Sequence, residues 1–467
     1  MEITREGFLK GALATLGIGA FGFGRVFAAP PGWKPKSPPN LVFGAISDSH
    51  LRTGPHGDYV GKGFSDKYFA AALKYFREKN VDAVVHTGDF AHRGQVAEME
   101  FHARVWEKVF PDNRAPDGHE VVKLFTTGNH DLEGSTYGDF VEMRYPDKKK
   151  RAKHILCTEM AEHWKRIWKE SYRPVWVKCV KGYFFFGRHY GVKEDETVKL
   201  LESFEETAKL GTGTRPVFHL QHVCPGMVVN DALKQKGWRN LVGFYGHSHG
   251  SASNWNQIRL LSDANALIQI PAVDPRGSNK LGGDAYIAKA KLEGGEPDVA
   301  GRAMQGYLVR VYDDMLVISR REFNHGGSLG SAWVLPFGKY DPHPYSMDEL
   351  KKRIGSPQFP EGAKLSVSRA ESGMTVKIPL ANGNPDSRVY AYDVVVANRN
   401  TKKCVVRSVY ASGCNMGIGH ENAKGVTTLR INGKDVPEGD TLCVAVRPLS
   451  SLGTKGKAIL TTIGNEA

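Results

Sequence analysis

Leu41-Val42-Phe43-Gly44-Ala45-Ile46-Ser47-Asp48-Ser49-His50 is the stretch that decides the reading of this chain. Its first six residues are an uninterrupted apolar run, as expected of a strand buried on both faces. The next four are polar and end in Asp-x-His. The same transition recurs three times. Val81-Asp82-Ala83-Val84-Val85-His86 leads into Thr87-Gly88-Asp89-Phe90-Ala91-His92-Arg93-Gly94. Val121 to Phe125 leads into Thr126-Thr127-Gly128-Asn129-His130-Asp131. Leu241 to Tyr245 leads into Gly246-His247-Ser248-His249. Between the first runs, Phe69, Ala72, Leu73 and Phe76 recur at helical spacing, and residues 96–110 read as a second helix. A β-α-β-α-β order predicts parallel strands covered by helices.

Ligands of α/β proteins bind beyond the carboxyl ends of parallel strands. Four clusters of Asp, Asn and His placed there would converge on one site. Carboxylate, amide oxygen and imidazole are the donors that suit Zn, Mn, Fe or Ni. Taken singly, each cluster has a plainer explanation: Asp-x-His is common, and Gly-Asn-His-Asp can be a turn with a capped helix. Coincidence fails for the ordered set, each member following an apolar run. The Gly before the ligands in three clusters is expected to let the backbone turn sharply towards the ions.

As a set, Asp48-Ser49-His50, Gly88-Asp89, Gly128-Asn129-His130-Asp131, His222 and Gly246-His247-Ser248-His249 resembles the calcineurin-like metallophosphoesterase superfamily, over roughly residues 40–325. The resemblance implies an α/β (α+β) domain built as a four-layer α-β-β-α sandwich with a dinuclear metal site. It implies that Asp48, His50 and His249 hold one metal, that Asn129, His222 and His247 hold the other, and that Asp89 bridges them. A carboxylate bridge offsets the repulsion of two cations about 3.5 Å apart, which together activate a hydroxide for in-line attack on phosphorus. His219 competes with His222 for the lone-histidine place; His222 stands at the strand end before a turn, whereas His219 lies inside the run. His130 is implied to face the substrate and protonate the leaving oxygen. Asp131 either orients His130 or caps the next segment. Arg93 occupies the place where protein phosphatases grip phosphate; with His92 in place of their second Asp, a surface arginine is the plainer reading. His92 also stands where purple acid phosphatases carry a metal-ligating Tyr, so an iron-tyrosinate site is not expected. The cofactors expected are two divalent or mixed-valence ions among Mn, Fe, Zn and Ni, and the substrate is an anionic phosphate ester, mono- or diester.

Outside the motifs, strands are expected at Tyr183–Phe186, Val217–Leu220, Ala266–Ile270, Tyr307–Val311 and Met315–Ile318, and a helix near 195–209. The insertion at about 132–182 carries Trp164, Trp168 and Trp176, which either shape the pocket or belong to the core. The catalytic domain is expected over 40–330, followed by a Pro-rich linker at 331–361. From 362 to 467 short strands (Leu365–Ser368, Thr375–Ile378, Val389–Val396, Cys404–Tyr410, Leu442–Val446) alternate with turn signals, giving a small all-β sandwich that resembles fibronectin type III.

Composition sets the bounds. With 41% hydrophobic and 24% charged residues in 467, the chain is neither collagen-like nor mostly disordered. Sixty-three Lys and Arg against 50 Asp and Glu favour anionic partners. The densest basic run, Lys148-Lys149-Lys150-Arg151, reads as an exposed insertion, and no nucleic-acid motif accompanies it. Residues 1–28 read as an export signal, with Arg5 and Lys10, an apolar run Leu9–Phe23 and a cut near Ala28. It is twin-arginine-like, with Glu6 in place of the second Arg, and places the mature protein in the periplasm or outside the cell without a membrane span. In that compartment some of the six cysteines are candidates for disulfides; none forms a CxxC pair. The alternative function is a non-catalytic module that binds a phosphorylated or glycan ligand.

Overall fold

The structure is a computed structural model. It describes residues 37–51, 65–133, 153–208, 215–225, 240–253, 257–262, 265–273, 304–323, 326–336, 355–383, 388–414, 426–450 and 453–464, with the single positions 35, 147, 352 and 417. The expected export signal, the basic run at 148–151 and most of the Pro-rich linker lie outside these residues.

Strand β1 (Leu41–Ile46) pairs in parallel with β2 (Ala83–His86), and β2 in parallel with β3 (Val122–Phe125). Helices α1 (Ser65–Glu78) and α2 (Val96–Val109) make the two crossovers. Glu98 starts α2 by accepting the backbone N–H groups of Arg93 and Gln95. The buried side of these helices (Phe69, Leu73, Phe76, Met99, Trp106) covers the outer face of the sheet. Gly44 is where α1 comes closest, since a Cβ there would lie 2.4 Å from the Phe76 ring.

Sequence-distant strands complete that sheet. After the short helix α3 (Asn129–Leu132) and helix α4 (Met160–Trp168), β4 (Val175–Val180), β5 (Tyr183–Arg188), β6 (Val217–Leu220), β7 (Leu241–Tyr245), β8 (Ile258–Ser262) and β9 (Asn265–Gln269) form a second six-stranded sheet, order β4-β5-β6-β7-β9-β8. The chain then returns through β10 (Gln305–Val311), β11 (Met315–Glu322) and β12 (Trp333–Pro336). These extend the first sheet to β12-β11-β10-β1-β2-β3, with β10 antiparallel to β1. Residues 333–336, expected in the linker, are therefore a strand of this sheet.

The two sheets face each other across one core. Phe43 of β1 touches the rings of Phe185, Phe218 and Phe244, edge-on, at centroid distances of 5.4, 5.3 and 5.7 Å. Removing such a ring costs about 3–5 kcal/mol. Helix α5 (Glu194–Ala208) packs Leu201 on Phe186, Val217 and Leu241 on the far side of the second sheet, which completes four layers, α-β-β-α. Trp168 lies buried against Phe125 and Phe90, Trp164 against Trp168 and Tyr172, and Trp176 between the sheets. All three tryptophans of the insertion are thus core.

The C-terminal region is all-β. A three-stranded sheet, β13 (Ser366–Ala370), β14 (Gly373–Pro379) and β17 (Val426–Asn432), and a four-stranded one, β15 (Val389–Asn398), β16 (Cys404–Tyr410), β18 (Thr441–Ser450) and β19 (Ile459–Gly464), share a core around Val376, Ile378, Tyr392, Val394 and Val446. Every pairing in both is antiparallel. All six cysteines are free, contrary to the disulfides expected of some.

Burial holds three histidines neutral: His102 is pushed down to about 4, and His189 and His219 to about 3. Each takes up a proton near pH 6.5 when unfolded but not when folded, so stability is full above 6.5 and falls as the pH drops below it. The slope reaches about 1.4 kcal/mol per pH unit for each histidine. Urea unfolding between pH 7 and 5 should therefore show a shallower acid loss in His219→Gln than in the parent. Equal slopes would refute this origin.

Candidate metal centre

The polar clusters begin where the strands end. The loop after β1 runs alongside the loop after β2, donating Asp48 N–H to Gly88 O, His50 N–H to Asp89 O and Leu51 N–H to Phe90 O at 2.9–3.0 Å. His92 N–H returns to Leu51 O. The strand ladder thus continues into the site.

Two groups of donor atoms converge. In the first, His249 Nε2 lies 3.1 Å from Asp48 Oδ1 and 3.0 Å from His50 Nε2, and His50 Nε2 lies 3.6 Å from Asp89 Oδ2. In the second, His222 Nε2 lies 3.1 Å from Asp89 Oδ2 and 3.0 Å from Asn129 Oδ1. His247 Nδ1 lies 3.0 Å from the same Asn129 Oδ1. Asp89 Oδ2 belongs to both groups, while its Oδ1 accepts the backbone N–H of His130 at 2.8 Å. All seven residues named from the sequence are brought together. His219 is not among them; it lies buried within β6.

These separations test whether the donors fit a cation. Two donors at about 2.1 Å from one ion stand roughly 3.0 Å apart at right angles and about 3.4 Å apart tetrahedrally. The chemistry fits as well. His222 donates Nδ1–H to Thr87 O at 2.8 Å, which in the neutral ring turns the bare Nε2 lone pair on two oxygens. Only a positive charge between them makes that stable. Burial alone would lower His222, but the Asp89 carboxylate, with Asp48 behind it, reverses this and lifts it to about 9. Burial would raise Asp48, yet His249, His222 and His50 hold it far below the usual carboxylate range. His50 and His247 are pushed down, chiefly by burial. His247 is exposed and marks the open side.

Five of the seven, Asp48, His50, Asp89, His247 and His249, have φ between 42° and 68°. This left-handed region is rare for residues with side chains and is concentrated at functional sites. It answers how two histidines only two positions apart reach different donor groups, because neither is in extended backbone.

The glycines act differently from expectation. Gly88 does turn, at φ 103°. Gly128 is extended, with φ −110°, and gives room instead: a Cβ there would sit 2.1 Å from Asp89 Oδ1. A Cβ on Gly246 would sit 2.0 Å from Ser47 Oγ and 2.5 Å from Asp48 Oδ2.

His130 donates Nδ1–H to the backbone carbonyl of His92 at 2.8 Å, which fixes its tautomer. His92, not Asp131, is therefore the orienting group. Asp131 accepts three backbone N–H groups, from Asp89, Ala91 and Gly128, and locks two motif loops together. Burial and the Asp89 carboxylate push it up to about 7 against those donors. Arg93 is half-buried and lies outside the donor groups. His92 stacks on His130 at 5.3 Å and, with His50, forms a third group of imidazoles.

Sequence reasoning missed the supports. His86 accepts Gly88 N–H on Nδ1 and, through Nε2, meets Ser49 Oγ at 2.5 Å, tying the first two motifs together; its ring stacks on Phe90 at 3.7 Å. Tyr190 hydrogen-bonds Glu133 at 2.7 Å, with its ring 6.4 Å from that of His222. His86 closes an apolar strand, and nothing in that pattern separates a support from a core residue.

Residues 41–251 match the family model for calcineurin-like phosphoesterase, and this stretch is a calcineurin-like metallophosphoesterase domain. No curated protein sequence matches the chain. Among solved structures, a dimetal phosphatase from Danio rerio is similar at 11% identity and a TM-score of 0.34, over 64% of this chain and 100% of its own. A purple acid phosphatase from yellow lupin (Lupinus luteus) seeds is similar at 12% identity and a TM-score of 0.39, over 69% of this chain and 57% of its own. At these scores neither likeness says what this chain does. The family binds two divalent metals and acts on phosphate esters; the His and Asp groups here are able to hold metal.

Gly246→Ala should push Asp48 out of place. Overpacking of this kind costs about 1–3 kcal/mol. The gain in urea midpoint on adding Mn2+ should shrink in the variant, and an unchanged gain would show that the space is not needed.

Proposed function

We propose that this chain hydrolyses phosphate esters at a two-cation centre. Asp48, His50 and His249 would hold one ion, Asn129, His222 and His247 the other, with Asp89 shared. The observation that carries the reading is the position of Asp89 Oδ2, within 3.6 Å of His50 Nε2 and 3.1 Å of His222 Nε2. Such a cation pair supplies Lewis acidity and a water nucleophilic at neutral pH.

The chain's own residues do the rest. Asp89, Asp48 and the imidazoles fix the donor positions before substrate arrives, so little reorganisation remains. His130, with Nδ1–H committed to His92 O, presents Nε2 as the atom that stabilises the phosphoryl oxygens and gives a proton to the departing alcohol. Asp131 keeps the Asp89 and Asn129 loops in register. Arg93 is assigned no contact with substrate.

Two further parts of the proposal rest on sequence. Residues 1–28, with their basic start and apolar run, direct export to the periplasm or beyond. The C-terminal sheets are a fibronectin type III-like module, supported by seven antiparallel strands in two sheets.

Metal analysis of the purified protein, joined to assays on an aryl phosphate and a bis-aryl phosphate, tests the reading. Two ions per chain and turnover of at least one ester are expected, and Asp89→Asn should lower both metal content and rate, the rate by more than about 100-fold. Full metal content and full rate in Asp89→Asn would sink the assignment. Binding of both esters without turnover would select the non-catalytic reading.

A further inference from the structure

The loop that carries His247 and His249 does not end at His249. Residues 251–253 are fully or almost fully buried, and Ala252 is held through both its backbone N–H and its carbonyl. Its N–H donates to Gln305 Oε1 at 2.7 Å, and the same oxygen accepts Ser251 Oγ at 3.3 Å. Its carbonyl accepts Arg320 Nη1 at 3.0 Å. Gln305 is on β10 and Arg320 on β11, strands beyond the stretch that matches the family. Both side chains are buried, at 0% and 2% exposure. Arg320 is fixed in turn: Nε and Nη2 donate to Ser331 O at 3.3 and 3.1 Å, and its guanidinium lies 5.0 Å over the Trp333 ring.

We propose that Gln305 and Arg320 are positioning residues for the metal centre, acting through Ala252 to hold the His247–His249 loop in its left-handed backbone. The inference rests on the two-cation reading above. The physical case is one of need and supply. His247 and His249 sit at φ 68° and 53°, conformations that persist only where the surroundings over-determine them. A buried cationic fork and a buried amide are costly to place in a core unless hydrogen-bonded. Here both spend hydrogen bonds on one residue, three positions from a donor histidine. The first sheet thereby holds a loop that leaves the second, and the two halves of the donor set, from β1 and from β7, are locked to each other.

The test uses the full chain and Mn2+ alone, with binding read by calorimetric titration and stability by urea unfolding in chelator. Gln305→Met keeps the volume and removes the acceptor; Arg320→Lys keeps the charge and removes the fork. Each should weaken Mn2+ binding about tenfold or more, the usual effect of losing a partner that orients ligands. Gln305→Glu, which keeps an acceptor oxygen, should stay within about threefold of the parent. Tyr307→Phe removes a hydrogen bond of the same hairpin to Gln269 O on β9 rather than to Ala252, and should leave affinity within about twofold while lowering stability. Parental affinity in both Gln305→Met and Arg320→Lys overturns the inference, as does an equal loss in Tyr307→Phe. A parent protein that binds no Mn2+ overturns the two-cation reading itself, and the proposal falls with it.

Discussion

The arrangement depends on how one carboxylate is divided. Asp89 Oδ1 is taken by the backbone N–H of His130, and this fixes the plane of the carboxyl group. Only then does Oδ2 face His50 on one side and His222 on the other. Much nearby chemistry serves that division. Gly128 lacks a Cβ because Asp89 Oδ1 fills the space. Asp131 holds the Asp89 N–H, and the Asp89 carbonyl receives the His50 N–H. A carboxylate acceptor that also repels its neighbours is stable here because imidazoles surround it.

This geometry carries a cost. Five donor residues lie in the left-handed region, at roughly 1–2 kcal/mol each. The donor groups also bury two carboxylates, Asp48 and Asp89. What offsets this lies below the site. Phe43, one strand length from Asp48, anchors the aromatic cluster that joins the sheets. A strained loop on the end of a deeply packed strand cannot relax without moving that strand. Strain and core are thus coupled along the shortest route in the chain, from Phe43 to Asp48.

Legibility in the sequence followed burial. Strands β1, β2, β6, β7 and β10 are central, buried on both faces and written as apolar runs, and their positions were readable to within two residues. The strands that went unread, β4, β8, β12, β17 and β19, all lie at sheet edges. An edge strand exposes one face and one row of backbone groups, so its residues mix polar and apolar types; β17 alternates strictly between exposed and buried. The donor residues were legible because each follows a strand end. The supports were not. His86, Gln305 and Arg320 act through backbone groups or through partners far away in sequence, and no local spacing records such contacts.

The orientation of His130 illustrates what spacing cannot supply. Adjacency suggested Asp131 as its partner, because neighbours in sequence are the easiest to pair on paper. In a short helix, however, consecutive side chains point in different directions. Asp131, at the third position of α3, turns back onto the N–H groups of the preceding loop, where the helix start leaves donors unsatisfied. His130 turns outward and finds the carbonyl of His92 instead. The difference matters chemically. A carboxylate on Nδ1 would hold the ring as an imidazolium, whereas a carbonyl fixes the tautomer without adding charge. The tautomer of His130 is therefore set by the backbone of the Asp89 loop. The loop whose Asp89 Oδ2 faces both donor groups also carries, three positions on, the His92 carbonyl that orients His130.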